Sequence, residues 1–237
     1  MKTTLTYLDS YCERAGHLGL WAEPLNAISN IAFLLAAWWT WQQIKTLREA
    51  SWRIWDIKLL SILIGIIGIG SGIWHFMPNS HTVLMDVIPI LLFMNLFIFS
   101  ACIRLLDFRF IHALALWLVF MAVNFISELF VPRDFLNGTI MYVPGYFIFC
   151  FFVVMLWWKK SPATHIMLLA LLLWSFSLIL RTLDLIMCPI IPIGTHFIWH
   201  VCNAVMMALL LRALIDGVTQ KVGSVCPISN KNILKMS

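Results

Sequence analysis

Five side chains carry the chemistry open to this sequence: Ser71, His75, Asp86, His196 and His200. His196 and His200 are four residues apart, so on a helix both imidazoles leave one face about a turn apart, a good two-point grip on a metal ion. Ser71 and His75 share that spacing, and Asp86 follows eleven residues after His75. Three histidines with one position left open form a catalytic zinc shell. Zinc lowers the pKa of a bound water towards neutrality and polarises a carbonyl oxygen. In this reading His75, His196 and His200 are the zinc ligands. Asp86 orients the water and takes its proton, and Ser71 hydrogen-bonds the oxyanion. A single histidine in an apolar helix more often bonds a neighbouring helix. The metal reading gains from the common depth of all five residues, at the ends of three apolar runs. His81, in the turn before Asp86, is the substitute ligand. His112 and His165 fall at the other end of their runs, and His17 lies in the N-terminal segment.

The elements that position these residues must be membrane helices. Of 237 residues 62% are apolar and 11% charged, and the mean hydropathy is +0.91. A soluble domain of this length carries roughly 25% charged residues, so most of this surface must face lipid. A membrane helix needs about 20 apolar residues. Such runs occupy roughly 24–44, 59–77, 83–103, 110–130, 140–158, 163–184 and 195–215. They are too long for barrel strands, and lipid does not tolerate an open strand edge, so the fold is expected to be an all-α bundle of seven transmembrane helices.

The net charge of +5 is dispersed in clusters between the runs, with no basic patch of the kind that binds nucleic acid. Lys45, Arg48, Arg53, Lys58, Arg104, Arg109, Lys159, Lys160, Arg212, Lys221, Lys231 and Lys235 fall on one side. Lys2, Arg14, Arg133 and Arg181 fall on the other. The positive-inside rule puts the first group in the cytoplasm, the N-terminus outside and the C-terminus inside. The site then faces outward. The expected organisation is a hydrolase domain over 1–216 and a flexible cytoplasmic tail over 217–237. The first twenty residues lack the continuous apolar core of a cleavable signal peptide. A short chain of this kind fits a bacterial inner membrane, with its site near the periplasmic face.

Together these residues resemble the alkaline ceramidases, members of a superfamily of seven-helix zinc hydrolases that includes the adiponectin-type receptors. The resemblance rests on Ser71, His75, Asp86, His196 and His200 in their order and spacing. It also rests on Tyr11-Cys12-Glu13-Arg14, on Trp21, Glu23, Asn26 and Asn30, and on Arg181 and Asp184 followed by Gly194-Thr195-His196. It runs from about residue 9 to 212. It implies His75, His196 and His200 as zinc ligands, Asp86 and Ser71 as catalytic partners, and hydrolysis of ceramide to a sphingoid base and a fatty acid. A lipid substrate would enter sideways from the bilayer. The alternative is a seven-helix receptor with a structural or vestigial zinc site. A proton channel is a further rival, but its relay should cross the membrane, and these residues gather at one end.

The resemblance also implies a calcium site on an N-terminal pattern Asp-Trp-Cys-Glu-x-Asn. Here Ser10-Tyr11-Cys12-Glu13-Arg14-Ala15 lacks an acid and an amide, which leaves Asp9, Glu13 and Glu23 as candidate calcium ligands. Calcium prefers six to eight oxygens. The other reading of Glu13, Arg14 and Glu23 is an interfacial salt-bridge cluster. Cys12 and Cys188 both face outside on this topology, where an oxidising compartment permits a disulfide; the alternative is two unpaired thiols. Arg181 and Asp184 are three apart on one helix and are expected to pair with each other. Asn124, Ser127 and Glu128, near the outer end of the fourth run, have two readings: lining the cavity or, the commoner case, satisfied interhelical contacts. Trp74 and Trp199, beside zinc ligands, are candidates to wall the pocket.

Overall fold

The computed structural model of the chain describes residues 10–17, 19–47, 53–132 and 135–225. Among these it is all-helical. The elements are α1 (Pro24–Ser29), α2 (Ile31–Lys45), α3 (Trp55–Phe76), α4 (Thr82–Arg104), α5 (Phe110–Phe130), α6 (Val143–Trp158), α7 (Ala163–Met187) and α8 (His196–Val225). A 3-10 segment, Phe135–Tyr142, leads into α6 and is interrupted by left-handed backbone at Leu136, Asn137 and Gly138.

Six helical stretches are long and apolar enough to cross a membrane, from α3 to α8, with α6 counted together with its 3-10 lead. This is a multi-pass membrane protein. The run expected at 24–44 forms two helices rather than one. The side-chain amide of Asn30 donates to the Asn26 carbonyl at 2.7 Å, the acceptor that its own backbone N–H would use in a continuous helix. That N–H turns instead to Ala27, at 3.4 Å. A side chain competing for an i−4 carbonyl is a physical cause for a helix break. α2 alone has 15 residues, about 22 Å at 1.5 Å per residue. At the other end of the chain α8 continues through Gly217 to Val225. The expected tail therefore begins as helix, and 226–237 lie outside the described residues.

α8 is the central post of the bundle, packed by α1, α2, α3, α4 and α7. Of its spanning stretch 72% is buried, against 11% for α5, which is the peripheral helix. Leu211 and Leu214 of α8, Leu60 and Ile64 of α3, Phe93 of α4, Phe152 of α6 and Met167 of α7 are almost completely inaccessible and join in one apolar core. Outward faces carry Leu, Ile and Phe as well, as lipid-facing helices must.

Candidate metal centre

His75 ends α3, and His196 and His200 open α8. All three are buried, at 1%, 1% and 0% exposure. Their ligand atoms lie within 4.8 Å of one another, and the Nε2 atoms of His75 and His200 are 3.2 Å apart.

Backbone packing brings these helix ends together. A Cβ on Gly70 would stand 2.0 Å from the Met85 carbonyl oxygen. Only glycine lets α3 and α4 touch there, and the contact sets Ser71 and His75 beside Asp86. The start of α8 is fixed by Asp184 of α7. Its buried carboxylate accepts the backbone N–H groups of Thr195 at 2.6 Å, His196 at 3.0 Å and Cys12 at 3.1 Å. A carboxylate there satisfies the orphan donors of the helix start. Gly194 makes this possible, with φ +67° and no room for a Cβ against Asp184 and Cys12. Cys12 is joined to Cys188 by a disulfide, which ties the N-terminal segment to the turn before α8.

The hydrogen bonds decide which ring nitrogens face inward. His75 Nδ1 lies 2.5 Å from Glu23 Oε2. A carboxylate only accepts, so Nδ1 carries a proton and the ring turns Nε2 towards the other histidines. His200 Nδ1 lies 2.8 Å from Ser29 Oγ. That hydroxyl spends its one hydrogen on the Asn26 carbonyl at 2.9 Å, so it too accepts, and His200 Nε2 likewise faces inward. The two Nε2 atoms face each other across 3.2 Å, a contact that a shared proton or a metal ion completes. His196 Nδ1 is also buried with no hydrogen-bond partner.

No family model matches this chain, and no curated protein or solved structure matches it. The donor set itself fits a metal ion: three imidazoles whose ligand atoms converge, two of them with Nδ1 held by an oxygen acceptor, the usual arrangement behind a metal-bound histidine.

Asp86 and Ser71 stand next to the cluster. One Asp86 carboxylate oxygen and the Ser71 hydroxyl are buried and lack hydrogen-bond partners. Both line a cavity whose walls are otherwise largely apolar, with Phe93, Phe97, Phe149 and Trp174 among them and with Tyr142, Trp199 and Asn203 also in the lining. Ligand sites of this type are largely apolar with few convergent polar groups. Trp199 thus walls the pocket, whereas Trp74 donates its indole N–H to the Tyr11 hydroxyl at 3.3 Å.

The N-terminal segment folds over the histidines. The Tyr11 ring lies 4.1 Å from that of His196 and 5.0 Å from that of His75. Burial raises the Tyr11 hydroxyl to about 12, despite the nearby Arg181 charge, so it keeps its proton at neutral pH. Arg14 is 1% exposed. It pairs with Glu23 and donates to the carbonyls of His75 at 2.9 Å and His17 at 3.2 Å. Burial alone would raise Glu23. Hydrogen bonds from His75, Asn26 and Arg14 outweigh it and hold the carboxyl below the usual range.

Several expectations change. Glu23 serves His75 and Arg14, while Glu13 accepts the backbone N–H groups of Leu25 at 2.6 Å and Asn26 at 2.8 Å. Burial raises the Glu13 carboxyl in spite of those bonds. Neither acid belongs to a group of three or more metal-binding side chains among the described residues, and Asp9 lies outside them. The salt-bridge reading holds for Arg14 and Glu23, with Glu13 serving as a helix cap instead. Arg181 does not pair with Asp184, whose oxygens are taken by backbone N–H groups. His81 is exposed and stands apart from the three histidines. Asn124 bonds the Phe120 carbonyl of its own helix at 2.8 Å rather than a neighbour. Glu23 and Ser29 were not legible as partners of His75 and His200. Their only sequence signal is proximity to the N-terminal pattern.

Proposed function

We propose that the chain is a seven-helix zinc amidohydrolase acting on an N-acyl lipid of the ceramide type. In this reading α1 and α2 together make the seventh crossing, the N-terminus is outside, and the site lies at the outer headgroup level, in a bacterial case near the periplasmic face. The observation that carries it is the approach of the His75 and His200 Nε2 atoms to 3.2 Å, beside an apolar-walled cavity that Asp86 and Ser71 help to line. Two nitrogens each 2.0–2.1 Å from one tetrahedral zinc lie about 3.3 Å apart.

His75, His196 and His200 would hold the ion. Bound there, zinc supplies a Lewis acid for a carbonyl oxygen and makes water a nucleophile at neutral pH. Asp86 accepts the proton of the attacking water and returns it to the departing nitrogen. The Ser71 hydroxyl donates to the carbonyl oxygen as charge develops on it. The C–N bond breaks, the water oxygen stays on the acyl carbon, and a fatty acid and a free amine leave. The cavity holds the acyl chain away from water. The receptor alternative assigns no task to Asp86 or Ser71.

The test is metal analysis and ceramide hydrolysis on purified protein, with His75→Ala and Asp86→Ala alongside. The expected result is metal lost in the first, and metal kept with turnover lost in the second. Undiminished turnover in both would end the enzymatic reading.

A further inference from the structure

The cavity beside the histidines has a definite depth and a floor. Its lining runs away from the site along three elements: from Asp86 to Ile98 on α4, from Tyr142 to Phe152 on α6 and its lead, and from Trp199 to Leu210 on α8. Each stretch advances ten to twelve residues, about 15–18 Å at 1.5 Å per residue. Beyond Asp86 on α4 and beyond Asn203 on α8 every lining side chain is apolar.

Phe97, Ile98, Phe152 and Leu210 form the floor, and all four are buried. The rings of Phe97 and Phe152 meet edge-on, with centroids 6.4 Å apart, and so bridge α4 to α6 there. One turn further on, Ala101, Leu156 and Leu214 are fully buried in the common core and no longer line the cavity. A core packed in this way takes in extra methylenes only with strain. An apolar slot with reacting groups at one end and a packed floor at the other measures the chain it holds.

Chain carbons joined by bonds of about 1.5 Å advance roughly 1.25 Å each when extended, so this depth holds about 12–14 carbons. We propose that Phe152, with Phe97 and Leu210, is the length stop of the cavity, so that the preferred substrates are N-acyl lipids whose seated chain has about 12–14 carbons. This rests on the amidohydrolase reading above and adds to it the length of chain that the site selects. That reading seats the acyl chain in the cavity. The stop would act in the same way on an alkyl amine, and the test separates the two.

One series of amides varies the acyl group from octanoyl to eicosanoyl on a short amine. A mirrored series varies the amine chain under a short acyl group. Both are presented in detergent micelles to the zinc-loaded protein. In the series whose chain is seated, kcat/KM should peak at the dodecyl to tetradecyl lengths and fall about tenfold or more at the longest, the scale of overpacking an interior. Phe152→Ala should move the peak to longer chains, and Leu210→Phe should move it to shorter ones. A loss of stability alone does not shift the peak in opposite directions. If Phe152→Ala does not fold, Phe152→Leu is read in its place. Binding of the matching free acids and alkylamines should peak at the same length without turnover, read by tryptophan fluorescence because Trp174 and Trp199 line the cavity. No peak in either series, or a peak that neither substitution moves, would overturn the stop and leave the hydrolase reading intact. Peaked binding with no hydrolysis of any amide would remove the hydrolase reading and keep the stop.

Discussion

α3 carries a polar cluster at each end, and the two are built on opposite principles. At its start Asp56 accepts from Arg104 Nε at 2.8 Å and Arg104 Nη2 at 2.6 Å, and from Ser100 Oγ at 2.7 Å. Arg104 also reaches the Arg53 carbonyl at 2.5 Å. Charge meets charge, and neither carboxylate oxygen is left without a donor. At its end, about 28 Å away at 1.5 Å per residue, His75 joins a cluster with as much burial and far less closure. Ser71, Asp86, Arg181, His196, Trp199 and Asn203 each leave a buried polar atom without a partner there. The first cluster ties α3 to α4. The second leaves buried donors and acceptors open beside the three converging histidines. Polarity inside a membrane helix is thus no sign of function in itself; incompleteness is.

The largest expected effect separates the clusters outright. His75→Ala should reduce bound zinc from about one per chain to background in elemental analysis, and Asp56→Asn should leave it unchanged. If both lose metal alike, the contrast is wrong. Asp86→Asn comes next, lowering kcat by about 10²–10⁴ with metal content retained. At the closed end, Asp56→Ala should cost about 3 kcal/mol of stability by stranding Arg104, read by unfolding in detergent. Glu23→Gln keeps the shape of the N-terminal network but weakens its hold on His75 Nδ1. Zinc affinity, from chelator competition, should fall about 10–100-fold. The smallest effect sharpens the comparison most. Asp56→Leu combined with Arg104→Met should be close to neutral in stability, because an ion pair replaced by packing loses little. No paired replacement at the histidine end should leave metal binding intact.

Tyr11, Arg14 and Glu23 show why one part of the site escaped sequence reading. They sit in a short polar stretch, where spacing carries no periodicity and alternatives could not be ranked. Glu23 was set between a calcium ligand and a salt bridge, and its contact with His75 spans 52 residues. The same limit explains Arg181 and Asp184. Their i, i+3 spacing invites a local pair, yet the α8 N-terminus presents two backbone donors to Asp184 and Cys12 a third, and together they outcompete the guanidinium.

The sequence by itself determined that the chain is helical and lives in lipid, because some twenty-residue apolar runs have no other stable form there. It also marked the three histidines and Ser71, because i, i+4 spacing fixes a shared helix face before any packing, and Asp86, because it lies at the same depth on the next apolar run. Cys12 and Cys188 could be paired by topology as one of two outcomes. Tertiary structure alone decided the rest: the contact at Gly70, the acceptors that turn both Nε2 atoms inward, the break at Asn30 and the setting of Arg181. Each of these depends on which backbone donor or bare Cα lies opposite, and residues far apart in the chain meet only once the helices have packed.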